Sequence, residues 1–401
     1  MQNSKYYIQL EDQYGAHNYL PLDVVLTKGE GVWVYDVEGK RYLDCLSAYS
    51  ALNQGHNHPK IKQAMIDQLE RLTLTSRAFR NDKLALLCKK LSDMTGYEMS
   101  LPMNTGAEAV ETAIKVARKW GYLTKGIPRY DAEIIVAEGN FHGRTTTIIS
   151  FSSIDMYKED FGPFTPGFKM VPYGDLDAML EAISENTAAI MLEPIQGENG
   201  VVIPPEGYLR GVKDLCEKHN ILFIADEIQT GLGRTGAMFA SQLEHVRPDM
   251  VVIGKALSGG FYPVSAVLAD EDILGLIRPG EHGSTFGGNP LGAAVAIAAL
   301  EVIEEEELII NAQVMGEYIT DYLEEVPKKN IQDIRGKGLL IGVELKHELG
   351  GARRFAEVLQ QKGILVKETH EHILRLAPPL IIKKETVDWM LPIIRDVLLM
   401  D

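Results

Sequence analysis

Lys255 stands in an unusual setting for a charged residue. The run D-M-V-V-I-G-K-A-L-S-G-G-F-Y-P-V-S-A-V-L-A, beginning at Asp249, is otherwise apolar or small. Asp249 to Ile253 reads as a short buried strand and Tyr262 to Ala269 as a second, which puts the amine at a Gly-rich strand end facing a cleft. An amine held there can act as a nucleophile or carry a proton; the plainer alternative is a stem lying on apolar surface with its head in water. Upstream, I-L-F-I-A-D-E at 221–227 reads as another buried strand, ending in Asp226. The spacing leaves room for one crossover between two parallel neighbours.

An amine and a carboxylate at adjacent strand ends suit pyridoxal 5'-phosphate. Its aldehyde condenses with a lysine, and a partly buried aspartate keeps its ring nitrogen protonated as an electron sink. Three more stretches fit a pocket for it. L-P-M-N-T-G-A-E-A-V-E-T-A reads as strand, turn and helix, so Thr105, Gly106 and Ala107 offer a hydroxyl and unpaired N–H groups to a phosphate. An ordinary threonine N-cap would produce the same letters. A-E-I-I-V-A-E-G delivers Phe141 to stack on a ring, His142 to flank it and Arg144 as a cation near the same cleft. A-A-I-M-L-E-P-I-Q-G-E ends in Glu193 and Glu198; Glu198 is expected in a loop, where a solvated side chain is the plain reading.

Composition narrows the class. With 401 residues and 45% apolar content, the chain is expected to fold as two domains around sizeable cores. A net charge of −16 disfavours nucleic acid and anionic membrane as partners. No apolar run reaches the length of a membrane span and the first residues lack a signal-peptide core, so a soluble, cytoplasmic protein is expected. Cys45, Cys88 and Cys216 lack paired spacing and read as reduced structural thiols. H-N-H-P at 56–59 supplies two histidines without a third ligand, and Pro59 reads as the first-turn proline of a helix, so no metal is expected. Gly231, Gly233 and Gly236 satisfy G-x-G-x-x-G, yet they lie mid-chain after D-E-I-Q-T rather than between a first strand and its helix, which disfavours a dinucleotide site.

The scaffold reads as follows. G-V-W-V-Y-D-V-E-G-K-R-Y-L-D-C-L is a hairpin, and amphipathic helices cover Pro59–Leu72 and Asp82–Met94. Helix Gly207–His219 leads into the Asp226 strand. A long small-residue helix follows the Gly-rich loop after Gly280, and the acidic patch E-V-I-E-E-E-E-L marks a solvated helix face. R-G-K-G-L-L-I-G-V-E-L reads as one strand, Gly351–Lys362 as a helix and I-L-V-K-E as a strand. H-I-L-R-L-A-P-P-L then presents Arg375 before a Pro-Pro turn and a terminal helix through Leu399.

D-E-I-Q-T-G-L-G-R-T-G followed by G-K-A-L-S-G-G resembles the class III, ornithine-type, aminotransferases of pyridoxal-phosphate fold type I, and the similarity runs over nearly the whole chain. The resemblance implies an α/β fold: a large domain at 51–305 with a mostly parallel seven-stranded sheet flanked by helices, plus a smaller α+β domain built from 1–50 and 306–401. It implies that Lys255 holds the cofactor and shuttles a proton, that Asp226 faces the ring nitrogen, and that Phe141 covers the ring. Gln229 would contact the phenolic oxygen. In the family a homodimer forms, and the residue matching Thr285 reaches the partner subunit's cofactor phosphate.

G-A-H-N-Y-L-P-L, S-A-Y-S-A-L-N-Q-G-H-N-H-P-K and P-M-N-T-G-A-E-A-V-E-T-A are most similar to the ornithine branch. That likeness implies transfer of the δ-amino group of L-ornithine to 2-oxoglutarate, giving glutamate 5-semialdehyde, which cyclises to pyrroline-5-carboxylate, and glutamate. Tyr19 and Arg144 would hold ornithine's amino-acid end, and Tyr49 would shape the pocket. Glu198 would cover Arg375 until 2-oxoglutarate arrives. Acetylornithine or 4-aminobutyrate as amine donor stays open, as does, more distantly, a pyridoxal-phosphate isomerase or decarboxylase.

Overall fold

The computed structural model describes residues 2–401. Near the N-terminus β1 (Leu26–Glu30), β2 (Trp33–Asp36) and β3 (Arg41–Asp44) form an antiparallel meander. The seven-stranded sheet follows: β4 (Met99–Met103), β5 (Glu133–Ala137), β6 (Phe168–Val171), β7 (Thr187–Leu192), β8 (Leu222–Asp226), β9 (Met250–Ile253) and β10 (Ser265–Ala269). Their order is β4-β10-β9-β8-β7-β5-β6, and β10 alone runs antiparallel to its neighbours. This is the mostly parallel sheet of pyridoxal-phosphate fold type I. The C-terminal ends of β4, β5, β7, β8 and β9 therefore share one edge, where open α/β sheets bind ligands.

Strand pleat sorts the core into two layers. Ile134 and Val136 of β5 pack with Ile224 and the apolar face of helix Gly106–Trp120, while Ile135 and Ala137 pack with Phe223 and helix Tyr208–His219 on the other side. Every residue of β7, β8 and β9 is buried, so these strands have continuous rather than alternating apolar character. Truncating Ile190 to alanine in that layer should cost about 2–5 kcal/mol.

Five C-terminal strands complete the architecture. β11 (Ile331–Lys337), β12 (Leu340–Leu345), β14 (Lys367–Thr369) and β15 (Ile373–Leu376) form one sheet, while β13 (Ile364–Leu365) pairs in parallel with β3, tying the two chain ends together. Two expected strands are thus divided. The run after Ile334 reverses at Gly338, whose φ of +53° suits a turn, giving the β11–β12 hairpin. I-L-V-K-E contributes to two different sheets, with Val366 between them. The second strand of the lysine hairpin starts at Ser265 rather than Tyr262, because Pro263 offers no N–H to the ladder. Helix Ser4–Tyr14, capped by Asn3, was not anticipated.

The acidic patch is paired as well as solvated. Glu301 and Glu305 bond Lys60, Glu304 bonds Lys90, and Glu306 bonds His58. His56 turns instead to Asp44, so the two histidines of H-N-H-P serve separate contacts. Among the described residues no helix is long and apolar enough to cross a membrane.

Candidate active site

Lys255 follows β9 after Gly254 and opens a tight 3-10 turn, Lys255–Ser258, with its own φ at +43°. A left-handed lysine is uncommon and marks backbone held by its surroundings. Burial pulls its ammonium below the ordinary lysine range; Glu198, Asp226 and Glu193 resist this, and Arg375 reinforces it. The amine is thereby brought nearer to the neutral form that nucleophilic and base chemistry require.

Asp226 ends the neighbouring strand and is 3% exposed. His142 Nδ1 lies 2.6 Å from its Oδ2, and Ile228 N–H donates to its Oδ1 at 3.1 Å. Burial alone would lower the histidine pKa, but the Asp226 bond and charge win and raise it. His142 therefore braces the aspartate, and its Nε2 is buried without a partner among the described residues. Glu193 sits beside this pair at the end of β7, accepting from Phe141 N–H at 2.8 Å. Burial, more than the favourable His142 charge can offset, pushes its carboxyl up to about 8.

The two arginines differ sharply. Arg375, on β15, is 1% exposed and donates through Nη1 to Glu198 Oε1 at 2.6 Å. Gln229 Nε2 donates to the same oxygen at 2.9 Å. Arg375 and Lys255, together with the Gln229 bond, hold Glu198 below the usual carboxylate range despite burial. Gly197 makes room for this: a Cβ there would fall 1.4 Å from Gln229 Oε1. Arg144 is exposed and has no carboxylate partner among the described residues. Its guanidinium instead lies 3.5 Å from the Tyr157 ring centroid and 5.5 Å from that of Phe141.

Tyr49 covers the other arginine, 5.1 Å from the Arg375 guanidinium. It belongs to Ser47–Ser50, four consecutive non-glycine residues with φ between +46° and +71°. Left-handed backbone costs such residues roughly 1–2 kcal/mol each, so the turn persists only if tied down. The tie is Arg234, fully buried, which donates to Ser47 Oγ, Asn53 Oδ1, Leu339 O and Pro378 O. The G-L-G-R-T-G motif thus serves as a staple joining the Tyr49 turn, its own loop and the end of β15.

Thr105 is the N-cap of helix Gly106–Trp120 in a reciprocal capping box with Glu108. Its hydroxyl serves the helix, leaving the Gly106 and Ala107 end to face the cleft. Cavities of about 310 and 150 Å³ meet at Gly106 and Lys255; the smaller is lined also by Ala107, Phe141, His142, Asp226 and Gln229. A cleft of about 900 Å³ between His58, Glu306 and Ile310 contains neither Lys255 nor Asp226, so the chemistry points to the smaller pair. Tyr19 is 76% exposed. Thr285 is exposed and does not line the Lys255 cavities.

Sequence reasoning left Tyr157, Glu193, Arg234 and Thr369 without roles. Thr369 Oγ1 donates to Glu198 O at 2.6 Å. Only Glu193, ending an apolar strand beside Glu198, carried a readable signal.

A depressed lysine amine, a braced aspartate, an aromatic wall and a helix N-terminus are the donor set that pyridoxal phosphate needs, and the unpaired Gln229 Oε1 and His142 Nε2 leave polar capacity at the same place. Fold and site together define a pyridoxal-phosphate enzyme. The Aminotransferase class-III family matches residues 14–398, and the chain belongs to it. It is 56% identical to an ornithine aminotransferase of Brevibacillus brevis, covering 99% of each chain, and 58% identical to one of Halalkalibacterium halodurans, covering 95% of each. Among solved structures, an ornithine aminotransferase of Toxoplasma gondii superposes with a TM-score of 0.98 at 42% identity, over 100% of this chain and 96% of that one. An acetylornithine aminotransferase of Elizabethkingia anophelis superposes at 0.90 with 48% identity over 100% of both.

Proposed function

We propose that the protein transfers the δ-amino group of L-ornithine to 2-oxoglutarate in two alternating half-reactions, using pyridoxal phosphate. The observation that carries this reading is the inequality of the two arginines: Arg144 is free to take a carboxylate, whereas Arg375 is already covered by Glu198. Ornithine has one carboxylate and two amines; 2-oxoglutarate has two carboxylates. Arg144, with Tyr19, binds ornithine's amino-acid end and so presents its δ-amine to Lys255. Were Arg375 open, it would draw in the α-carboxylate and present the wrong amine. The second carboxylate of 2-oxoglutarate displaces Glu198 and takes Arg375 bidentately.

When bound, pyridoxal phosphate supplies the aldehyde that takes up the amine and a ring that accepts the electron pair released at the reacting carbon. Lys255 holds the cofactor and, once freed, moves the proton at ornithine Cδ; a positioned base contributes about 10²–10⁴-fold. Asp226, oriented by His142, keeps a proton on the ring nitrogen. Phe141 would wall the ring, Gln229 would contact the phenolic oxygen, and the Gly106 and Ala107 N–H groups at the helix end that Thr105 caps would hold the phosphate. Thr285 completes the phosphate site of the partner subunit in a homodimer, a reading supported by its exposure away from its own subunit's cavities. Residues 1–50 and 306–401 form a small domain around 51–305, as the β3–β13 pairing favours. Three free cysteines suit the cytoplasm.

The likeness to an acetylornithine aminotransferase makes that substrate the competing reading. Purified protein should show a visible absorption band that bleaches with L-ornithine and returns with 2-oxoglutarate. Bleaching by N-acetylornithine but not L-ornithine would reject the substrate assignment, and no band after reconstitution would reject the enzyme.

A further inference from the structure

The Glu198 gate must open for one substrate and close for the other without losing its place. Its loop is pinned by the C-terminal sheet at three points. Thr369 Oγ1 on β14 donates to the Glu198 carbonyl at 2.6 Å. Arg335 on β11 donates to Gly200 O at 2.8 Å through Nη2 and to Val201 O at 3.1 Å through Nε. Arg375 on β15 reaches Gly197 O at 3.3 Å as well as the Glu198 carboxylate.

The loop backbone has little freedom of its own. Gly200 has φ +97°, and a Cβ on it would meet Ile373 Cδ1 at 2.3 Å; Val201, a buried β-branched residue, is held at φ +57°. Such conformations persist where neighbours over-determine them. The hairpin register matters most. β14 and β15 pair with Thr369 opposite Ile373 and Lys367 opposite Arg375. The arginine being covered and the hydroxyl holding its cover therefore ride on one two-stranded unit.

We propose that Thr369 is a positioning residue for substrate choice: it fixes the Glu198 backbone to the hairpin that carries Arg375, so that the gate opens by rotation of the Glu198 side chain alone. The inference rests on the gate reading above. Losing the hydroxyl leaves the Glu198 carbonyl unpaired and lets the carboxylate drift from Arg375, so the arginine becomes available too early. Thr369→Val preserves shape and removes the bond; Thr369→Ser preserves the bond.

The test is the ratio of α- to δ-transamination products from L-ornithine in a single turnover, with KM for 2-oxoglutarate measured alongside. Thr369→Val should raise the ratio about two- to tenfold, as loss of one hydrogen bond allows, and lower that KM, while Thr369→Ser stays near the unsubstituted protein. An unchanged ratio in Thr369→Val, or equal slowing of both half-reactions, would overturn the proposal if Glu198→Ala still moves the ratio. If Glu198→Ala leaves the ratio unchanged, the gate reading itself falls and Thr369 falls with it.

Discussion

Arg144 and Arg375 are the same side chain in opposite states. Arg144 is exposed, held only by the rings of Tyr157 and Phe141, and keeps its hydrogen-bonding fork free. Arg375 is 1% exposed, capped by Glu198 and Tyr49, and anchored in a sheet. Stacking positions a guanidinium without spending its donors, whereas an ion pair spends them until a better carboxylate arrives. One enzyme can thereby bind two dissimilar substrates at one lysine, provided the covered arginine opens only for the dicarboxylate.

Removing the open arginine should have the largest effect. Arg144→Met should lower kcat/KM for L-ornithine by about 10²- to 10³-fold, as expected for losing one partner of a charged pair, with a smaller effect on 2-oxoglutarate. Steady-state kinetics of both half-reactions checks this, and an equal loss in both would erase the distinction. Arg375→Met should cost about 10²-fold, but in the 2-oxoglutarate half-reaction. It carries a pH signature too. Arg375 helps depress the Lys255 amine while Glu198 raises it, so removing the arginine should raise the lysine pKa and move the base limb of the ornithine half-reaction to higher pH. A shift to lower pH would contradict the charge arrangement.

Tyr157→Leu should raise KM for L-ornithine about two- to tenfold, the size of a cation–π contact, leaving 2-oxoglutarate nearly unaffected. A separate effect, on stability rather than on substrate choice, concerns Glu193. Its carboxyl is raised from an ordinary 4.5 to about 8, so between those values the unfolded chain holds fewer protons than the folded one. Its contribution to stability is full below pH 4.5 and is lost as pH rises through 8. Glu193→Gln should flatten that slope in thermal unfolding of the cofactor-free protein; an unaltered slope would show the group is not buried as a neutral acid.

The lysine half of the site was readable because chain-local patterns carry it. An apolar strand followed by Gly254 and Lys255, and another ending in Asp226, announce strand ends on one sheet edge, and the family likeness aligned the two arginines. The supports of the arginines were less legible. Thr369 meets Glu198 across far-separated segments, and Tyr157 approaches Arg144 from a short 3-10 turn with no periodicity to read. The left-handed Ser47–Ser50 turn contains no glycine, so nothing in its letters announces positive φ; the distant Arg234 staple maintains it. The staple role of the G-x-G-x-x-G segment became visible only with the carbonyls that Arg234 reaches.

Whether Glu198 keeps Arg375 unavailable while ornithine reacts is decided by a single-turnover experiment with Glu198→Ala and L-ornithine, quantifying products from the δ- and α-amines. The α product should rise about tenfold or more relative to δ, since an uncovered buried arginine gains a carboxylate worth at least one charged hydrogen bond. A ratio equal to that of the unsubstituted protein would mean that the ion pair does not govern which amine reacts.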